Sequence, residues 1–232
     1  MLSLAEEFML FDLHTYKGQL STNGDAILPG TLLLQLALGN CVQLDPQDAT
    51  RLIATSGSAH DALLQEALDR VSTLTKVKRL IDYGAVPNLA DRLRQRLLDQ
   101  KLVRQEERRG GLLRLGHKTV HIVEESQPKQ ELVQRIRDTA AGKVTPAPQI
   151  VIFMYLLDLC LAAGELKKQD INAVHAFCEK AGLIPILYGR DDSPDSVRDL
   201  FGEPMALTIE ALLENMAELN SAIISDEALS SY

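Results

Sequence analysis

Pro29-Gly30-Thr31-Leu32-Leu33-Leu34-Gln35-Leu36-Ala37-Leu38 is apolar on every side, and a helix of that kind has no face to offer to water. It needs a body that encloses it, which argues for packed helices. Pro29 suits a first helical turn, where its missing N–H has no partner to lose, so the stretch predicts a helix over 29–38. Gly39-Asn40 stops it. Cys41-Val42-Gln43-Leu44 then reads as a short strand running into the Asp45-Pro46 turn.

Working outward, Ser3 followed by Glu6 has the spacing of a capping box, which starts a short helix through Leu10, and Lys17-Gly18 punctuates the chain. Over 61–71, Leu64, Ala67, Leu68 and Val71 repeat at helical spacing with Gln65, Asp69 and Arg70 on the far side. That is a surface helix. Further helical patterns cover 128–140, 147–163, 169–181 and 205–223, the last with Leu207, Ala211, Leu212 and Met216 inward. The fold expected is mainly α: a single helical domain over 1–232 with a small β-hairpin, its tail 225–232 frayed.

Composition agrees with that body. The 232 residues are 46% apolar, enough for a core without disulfides or metals, and only 4% aromatic with no Trp, which weakens readings that need stacking platforms for single-stranded nucleic acid. The most apolar run, 150–163, contains Asp158 and falls short of the roughly 20 residues of a bilayer span. It reads as a buried helix. Cys41, Cys160 and Cys178 form no C-x-x-C pair, and Met1-Leu2-Ser3-Leu4-Ala5-Glu6-Glu7 carries acid where a secretory signal needs a basic start. Reduced thiols and a cytoplasmic location are therefore expected.

Charge is unevenly distributed. Residues 76–118 hold 12 Lys/Arg against 5 Asp/Glu, a net +7 within a chain of net −8, which leaves −15 on the remainder. Such asymmetry points to a partner more than to a fold. Within the segment, Leu89, Leu93 and Leu97 stripe a helix over 88–100 flanked by Arg92 and Arg96. Leu102-Val103-Arg104, Gly110-Gly111 and Leu112-Leu113-Arg114-Leu115 then read as a hairpin turning at the two glycines, its tip basic and apolar together through Arg108, Arg109, Leu112 and Arg114. Alternation sets Leu113 and Leu115 toward the body and Leu112 with Arg114 outward.

Enzyme chemistry finds no residue set. Neither G-x-G-x-x-G nor G-x-x-x-x-G-K-[ST] occurs, G-x-S-x-G is missing, and the histidines at 14, 60, 117, 121 and 175 contain no H-E-x-x-H. Asp191, Asp192 and Asp195 lack the order of a calcium loop. No catalytic residue, metal or cofactor is expected. The basic helix and hairpin fit two ligands, an anionic membrane surface or, as the alternative, DNA gripped by a winged-helix-like reader.

A resemblance separates the two. Leu2-Ser3-Leu4-Ala5-Glu6-Glu7-Phe8-Met9-Leu10, Leu28-Pro29-Gly30-Thr31-Leu32-Leu33-Leu34-Gln35-Leu36-Ala37-Leu38-Gly39 with Val42-Gln43-Leu44, and Asp61-Ala62-Leu63-Leu64-Gln65-Glu66-Ala67-Leu68 are similar to stretches of the Golgi phosphoprotein 3 family, and weaker similarity continues toward the C-terminus. The resemblance implies a non-enzymatic peripheral membrane protein on the cytosolic face, binding phosphatidylinositol 4-phosphate in the eukaryotic members through a Trp and three Arg and inserting an apolar hairpin. Those head-group positions fall here at Leu20, Pro29, Pro87 and Ala90, and a gapped pairing moves the last two toward Arg92 or Arg94. Lipid-binding residues are thus expected at Arg92, Arg94, Arg96, Arg108, Arg109, Leu112 and Arg114, with an anionic lipid as partner and no nucleic acid. A protein client and a homo-oligomer are left open.

Overall fold

A computed structural model of the chain describes residues 2–15, 19–82, 84–110, 116–124, 126–160, 166–181 and 200–230. Along them run α1 (Leu4–Thr15), α2 (Thr22–Leu38), β1 (Val42–Asp45), β2 (Asp48–Ala54), α3 (Ala62–Thr73), α4 (Val77–Asp82) and α5 (Leu89–Asp99). They continue through β3 (Val103–Gly110), β4 (Gly116–Val123), α6 (Gln127–Ala140), α7 (Pro148–Cys160), α8 (Lys168–Lys180) and α9 (Glu203–Ser230). The fold is mainly α, as expected. Its strands form two antiparallel hairpins, β1–β2 and β3–β4.

The central helix is α2, which packs against α1, α3, α4, α5, α7 and α9. Every residue from Ile27 to Leu34 is buried, so the all-round apolar pattern meets the enclosure it requires. The second such helix, α7, is buried from Ile150 through Leu157, with Phe153 edge-on to Phe11 of α1 at a ring separation of 5.3 Å. Buried apolar residues of α1 through α9 join in one cluster.

The helix at the centre starts earlier than Pro29. Ser21 caps it, its hydroxyl accepting from the Gly24 N–H at 2.7 Å, and Pro29 lies inside the helix. What holds that start is tertiary: the Asp12 carboxylate, wholly buried, accepts from both the backbone N–H and the hydroxyl of Ser21 at 2.8 Å. Gly24 lies against Asp12, where a Cβ would collide with the carboxylate. Six residues further, Gly30 lets Met216 of α9 approach so closely that a Cβ would meet its sulfur at 2.5 Å. Asp25, whose carbonyl loses its helical partner to Pro29, is exposed and can turn to water.

Other boundaries hold or shift for local reasons. The Ser3–Glu6 box forms, with the Ser3 N–H donating to the Glu6 carboxylate at 2.8 Å and the Glu6 N–H to the Ser3 hydroxyl at 3.2 Å, but its helix continues to Thr15. Asp61 caps α3, whose buried stripe is Leu63, Ala67, Leu68 and Val71, leaving Leu64 half-buried. In α9 the inward residues are Ala206, Ile209, Leu212, Leu213 and Met216, while Leu207 is 42% exposed and Ala211 half-buried. The helix extends to Ser230, past the expected start of fraying at 225.

The hairpin also differs from expectation. Pairing runs in register from Val103↔Val123 to Gly110↔Gly116, so Gly110-Gly111 is not a two-residue turn and the second strand is β4, not 112–115. A two-glycine turn signal is local, and eight cross-strand pairs outweigh it. The expected facing of Leu112, Leu113, Arg114 and Leu115 lies outside the described residues.

Candidate functional site

Seven residues were expected to face a ligand, and the structure places the first three on α5. Its apolar stripe, Leu89, Leu93 and Leu97, is buried, which turns the arginines to the edges of the helix. Arg92 donates to Glu66 at 2.6 Å and Arg96 to Asp61 at 2.7 and 3.2 Å. The carboxylates ascend along α3 while the arginines descend along α5, as antiparallel neighbours require. Arg94 bonds Asp91 on its own helix at 2.5 Å.

Asp61 does two tasks. It accepts from the Leu63 and Leu64 N–H groups at the start of α3 while holding Arg96. Partial burial raises its carboxyl pKa, but Arg96 and the two backbone donors outweigh that and hold it below the ordinary range. These arginines therefore tie two helices together.

Arg108 and Arg109 lie near the end of β3, opposite Lys118 and His117. Leu112 and Arg114 lie outside the described residues. Toward the root the ladder enters the body: Leu102, Val103 and Val120 are buried, whereas Arg104, Gln105, Glu107 and Thr119 are exposed. Arg104 pairs with Glu106 on its own strand and with Glu124, just past the end of β4. The hairpin thus stands on an apolar foot with its basic end carried away from it.

Between α2 and α5 opens a cleft of about 340 Å³ lined by Asp25, Leu28, Pro29, Val86, Asn88, Leu89, Ala90, Asp91 and Arg94. Pro29 and Ala90, two of the head-group positions implied by the resemblance, are on its wall, and Pro87 lies between Val86 and Asn88. The positions converge, but their chemistry does not suit an anion. Two carboxylates face one guanidinium, and that guanidinium is already bonded to Asp91. Asn88, at a left-handed φ of 51°, begins α5 without a side-chain cap.

Two further clefts flank the N-terminal end of α1, and each has an ion pair in its wall. One holds Asp61 and Arg96 beside Glu6 and Asp99. In the other, Glu7, its side chain 1% exposed, is bonded by Arg135 at 2.6 Å and by Gln149 at 3.0 Å. Burial pushes the Glu7 carboxyl above its ordinary value despite Arg135. Among the described residues no three His, Cys, Asp or Glu side chains gather as metal ligands, and no helix is long and apolar enough to cross a membrane.

Sequence reasoning found the arginines of α5 and the basic hairpin but missed the carboxylates that meet them. Asp61 and Glu66 lie 35 and 26 residues from their partners, and the one local signal that could have pointed to either is the cap preference of an Asp placed before an apolar repeat. Comparison with curated protein sequences gave no match. The sequence profile of the Golgi phosphoprotein 3 (GPP34) family, however, matches residues 4–199, from the first helix past α8, and on that match the chain belongs to the Golgi phosphoprotein 3 family.

Proposed function

We propose that this member of the family is a non-enzymatic peripheral membrane protein that docks on anionic lipid through the end of the β3–β4 hairpin, on the cytosolic face of a membrane. One observation carries the reading. In sequence, residues 108–118 hold Arg108, Arg109, Arg114 and Lys118 with Leu112, Leu113 and Leu115 and no acid, and the paired strands that flank this stretch are rooted in the core through Leu102, Val103 and Val120. Basic side chains can pair with lipid phosphates while leucines enter the apolar layer, each cation contributing about 1 kcal/mol near an anionic leaflet. The cleft between α2 and α5, with Asp25 and Asp91 in its wall, favours generic anionic lipid over a phosphoinositide head group.

The DNA-reading alternative is disfavoured by the same geometry. A recognition helix must present its cations to phosphates and bases, and Arg92 and Arg96 are engaged with Glu66 and Asp61. Co-sedimentation with neutral, phosphatidylglycerol-containing and phosphatidylinositol 4-phosphate-containing vesicles tests the reading. Binding to both anionic sets and not to the neutral set is expected. A preference of tenfold or more for the phosphoinositide, about 1.4 kcal/mol, overturns the lipid assignment, and binding to none overturns the membrane role.

A further inference from the structure

Not all the positive charge of residues 76–118 is met by the ion pairs of α5. At the start of that segment Lys76, just ahead of α4, stands opposite Arg51 of β2 in an isolated antiparallel bridge. Residues opposed in this way share a face with Cβ atoms about 4.5–5.5 Å apart, and two like charges there weaken the pairing. The backbone fixes them side by side all the same. The Leu52 N–H donates to the Thr75 carbonyl at 2.7 Å, and Arg51 Nε donates to the Thr75 hydroxyl at 2.9 Å. The Leu80 N–H donates to the Lys76 carbonyl at 3.0 Å, so the helix starts at once, and burial of Val77, Leu80 and Ile81 turns Arg79, one turn from Lys76, to the outside.

Arg51, Lys76 and Arg79 are all exposed. Among the described residues none of the three has a carboxylate partner, whereas Arg92, Arg94 and Arg96 of the next helix each have one. Two acids stand near. Asp48 feels the charge of Arg51 and Lys76, but its Oδ1 accepts from the hydroxyl and the N–H of Thr50 at 2.7 and 3.0 Å. Those bonds first, and the two cations second, hold its carboxyl below the ordinary range. Asp82 closes the other end of α4, six residues or about 9 Å along the axis from Lys76. Lys78, on the side toward α9, reaches Glu218 at 4.0 Å.

Shape selects the occupant as much as charge does. None of the three clefts described above has Arg51, Lys76 or Arg79 in its wall, so none of them offers these cations an enclosed anion, and an exposed cation gains little from a single ion in water. A leaflet presents many phosphates in one plane. Each cation near it then contributes without being enclosed. No large apolar side chain is exposed on β2 or α4, so such a contact is electrostatic and inserts nothing.

We infer that Arg51, Lys76 and Arg79 form a second docking surface for an anionic membrane, at the corner of β2 and α4 and built on elements other than the β3–β4 hairpin. The inference rests on the membrane reading above, to which it adds a contact made by charge alone.

The test uses the full chain and phosphatidylcholine vesicles with and without phosphatidylglycerol. Wild type is expected to bind the anionic set only. Lys76→Gln and Arg79→Gln should each weaken that binding about fivefold, the share of one cation near an anionic leaflet, and the double variant about twenty-five-fold. Asp48→Asn, which keeps an acceptor for Thr50 and removes the negative charge beside the bridge, should tighten it. Arg137→Gln, which takes the same charge from an arginine paired with Asp170, should leave it unchanged. Circular dichroism at the assay temperature separates these effects from folding. A double variant that binds like wild type, or an equal loss in Arg137→Gln, overturns the second surface while leaving the membrane reading intact. Failure of wild type to bind the anionic vesicles overturns both.

Discussion

The edge between α3 and α5 and the end of the β3–β4 hairpin are both rich in arginine, and on the function proposed above they use it in opposite ways. On the helical edge each cation has a carboxylate within bonding distance: Arg92 with Glu66, Arg96 with Asp61, Arg94 with Asp91. At the hairpin end the sequence from 108 to 118 supplies four cations and no acid. A charge count along the chain cannot separate the two. Much of the net +7 over 76–118 is balanced by Asp61, Glu66, Glu124 and Glu218, which come from outside that segment. Positive charge that ties a fold together and positive charge available to a partner look the same until the acids are placed.

The comparison breaks most visibly in the helix core. Leu93, fully buried on α5, is expected to cost about 2–5 kcal/mol of stability when replaced by Ala, while vesicle binding measured well below the unfolding midpoint stays as in wild type. A loss of binding in the folded variant would mean that α5 itself contacts lipid. Leu112→Asp should do the reverse: vesicle affinity falls by about 2 kcal/mol, roughly thirtyfold, from lost burial and added repulsion, and the denaturation midpoint does not move. An unfolded Leu112→Asp protein would place that residue in the core.

A smaller effect sharpens the role of Asp61. Replacing it by Ala removes the cap of α3 and the partner of Arg96 together, for about 1–2 kcal/mol at neutral pH. Because the folded carboxyl titrates below its ordinary value, its contribution is present above the unfolded range and disappears as pH falls through the depressed value. Urea titrations of wild type and variant should therefore begin to converge below about pH 4 and meet only below the depressed value; a gap that persists in stronger acid would assign the loss to packing. Arg92→Gln is the mildest case. Its pair with Glu66 is about two-fifths exposed on each side, so a loss of about 0.2–1 kcal/mol that shrinks with added salt is expected, with vesicle binding unchanged.

What could be read from the sequence was whatever a short window determines. All-round apolarity placed α2 and α7 in the core, and the cap at Ser3 was visible because a cap is a matter of three residues. The start of α2 was not, since Thr22, Asn23 and Gly24 are poor helix formers and what fixes them is Asp12, from another helix. β2 escaped notice for a different reason: of its seven residues only Leu52 is buried, so no alternation shows. In α9 the expected Leu212 and Met216 do face inward, whereas Leu207 and Ala211 drew the rest of the stripe off the buried side. The arginines of the candidate site were legible as residues. Their availability was not, because it depends on carboxylates 26 and 35 positions away.

The Asp12–Ser21 contact also has a consequence in time. Its partners are nine residues apart, whereas the bond from the Leu44 N–H to the Thr208 hydroxyl, which joins β1 to α9, spans 164. Closing a loop of about ten residues takes about 10–100 ns and little chain entropy, so the pairing of α1 with α2 is within reach of a nascent chain long before α9 has been synthesised. The helix pair then exposes the faces on which α7 and α9 later settle, and Gly30, with no side chain to clear, leaves the berth for Met216 open until the last helix arrives.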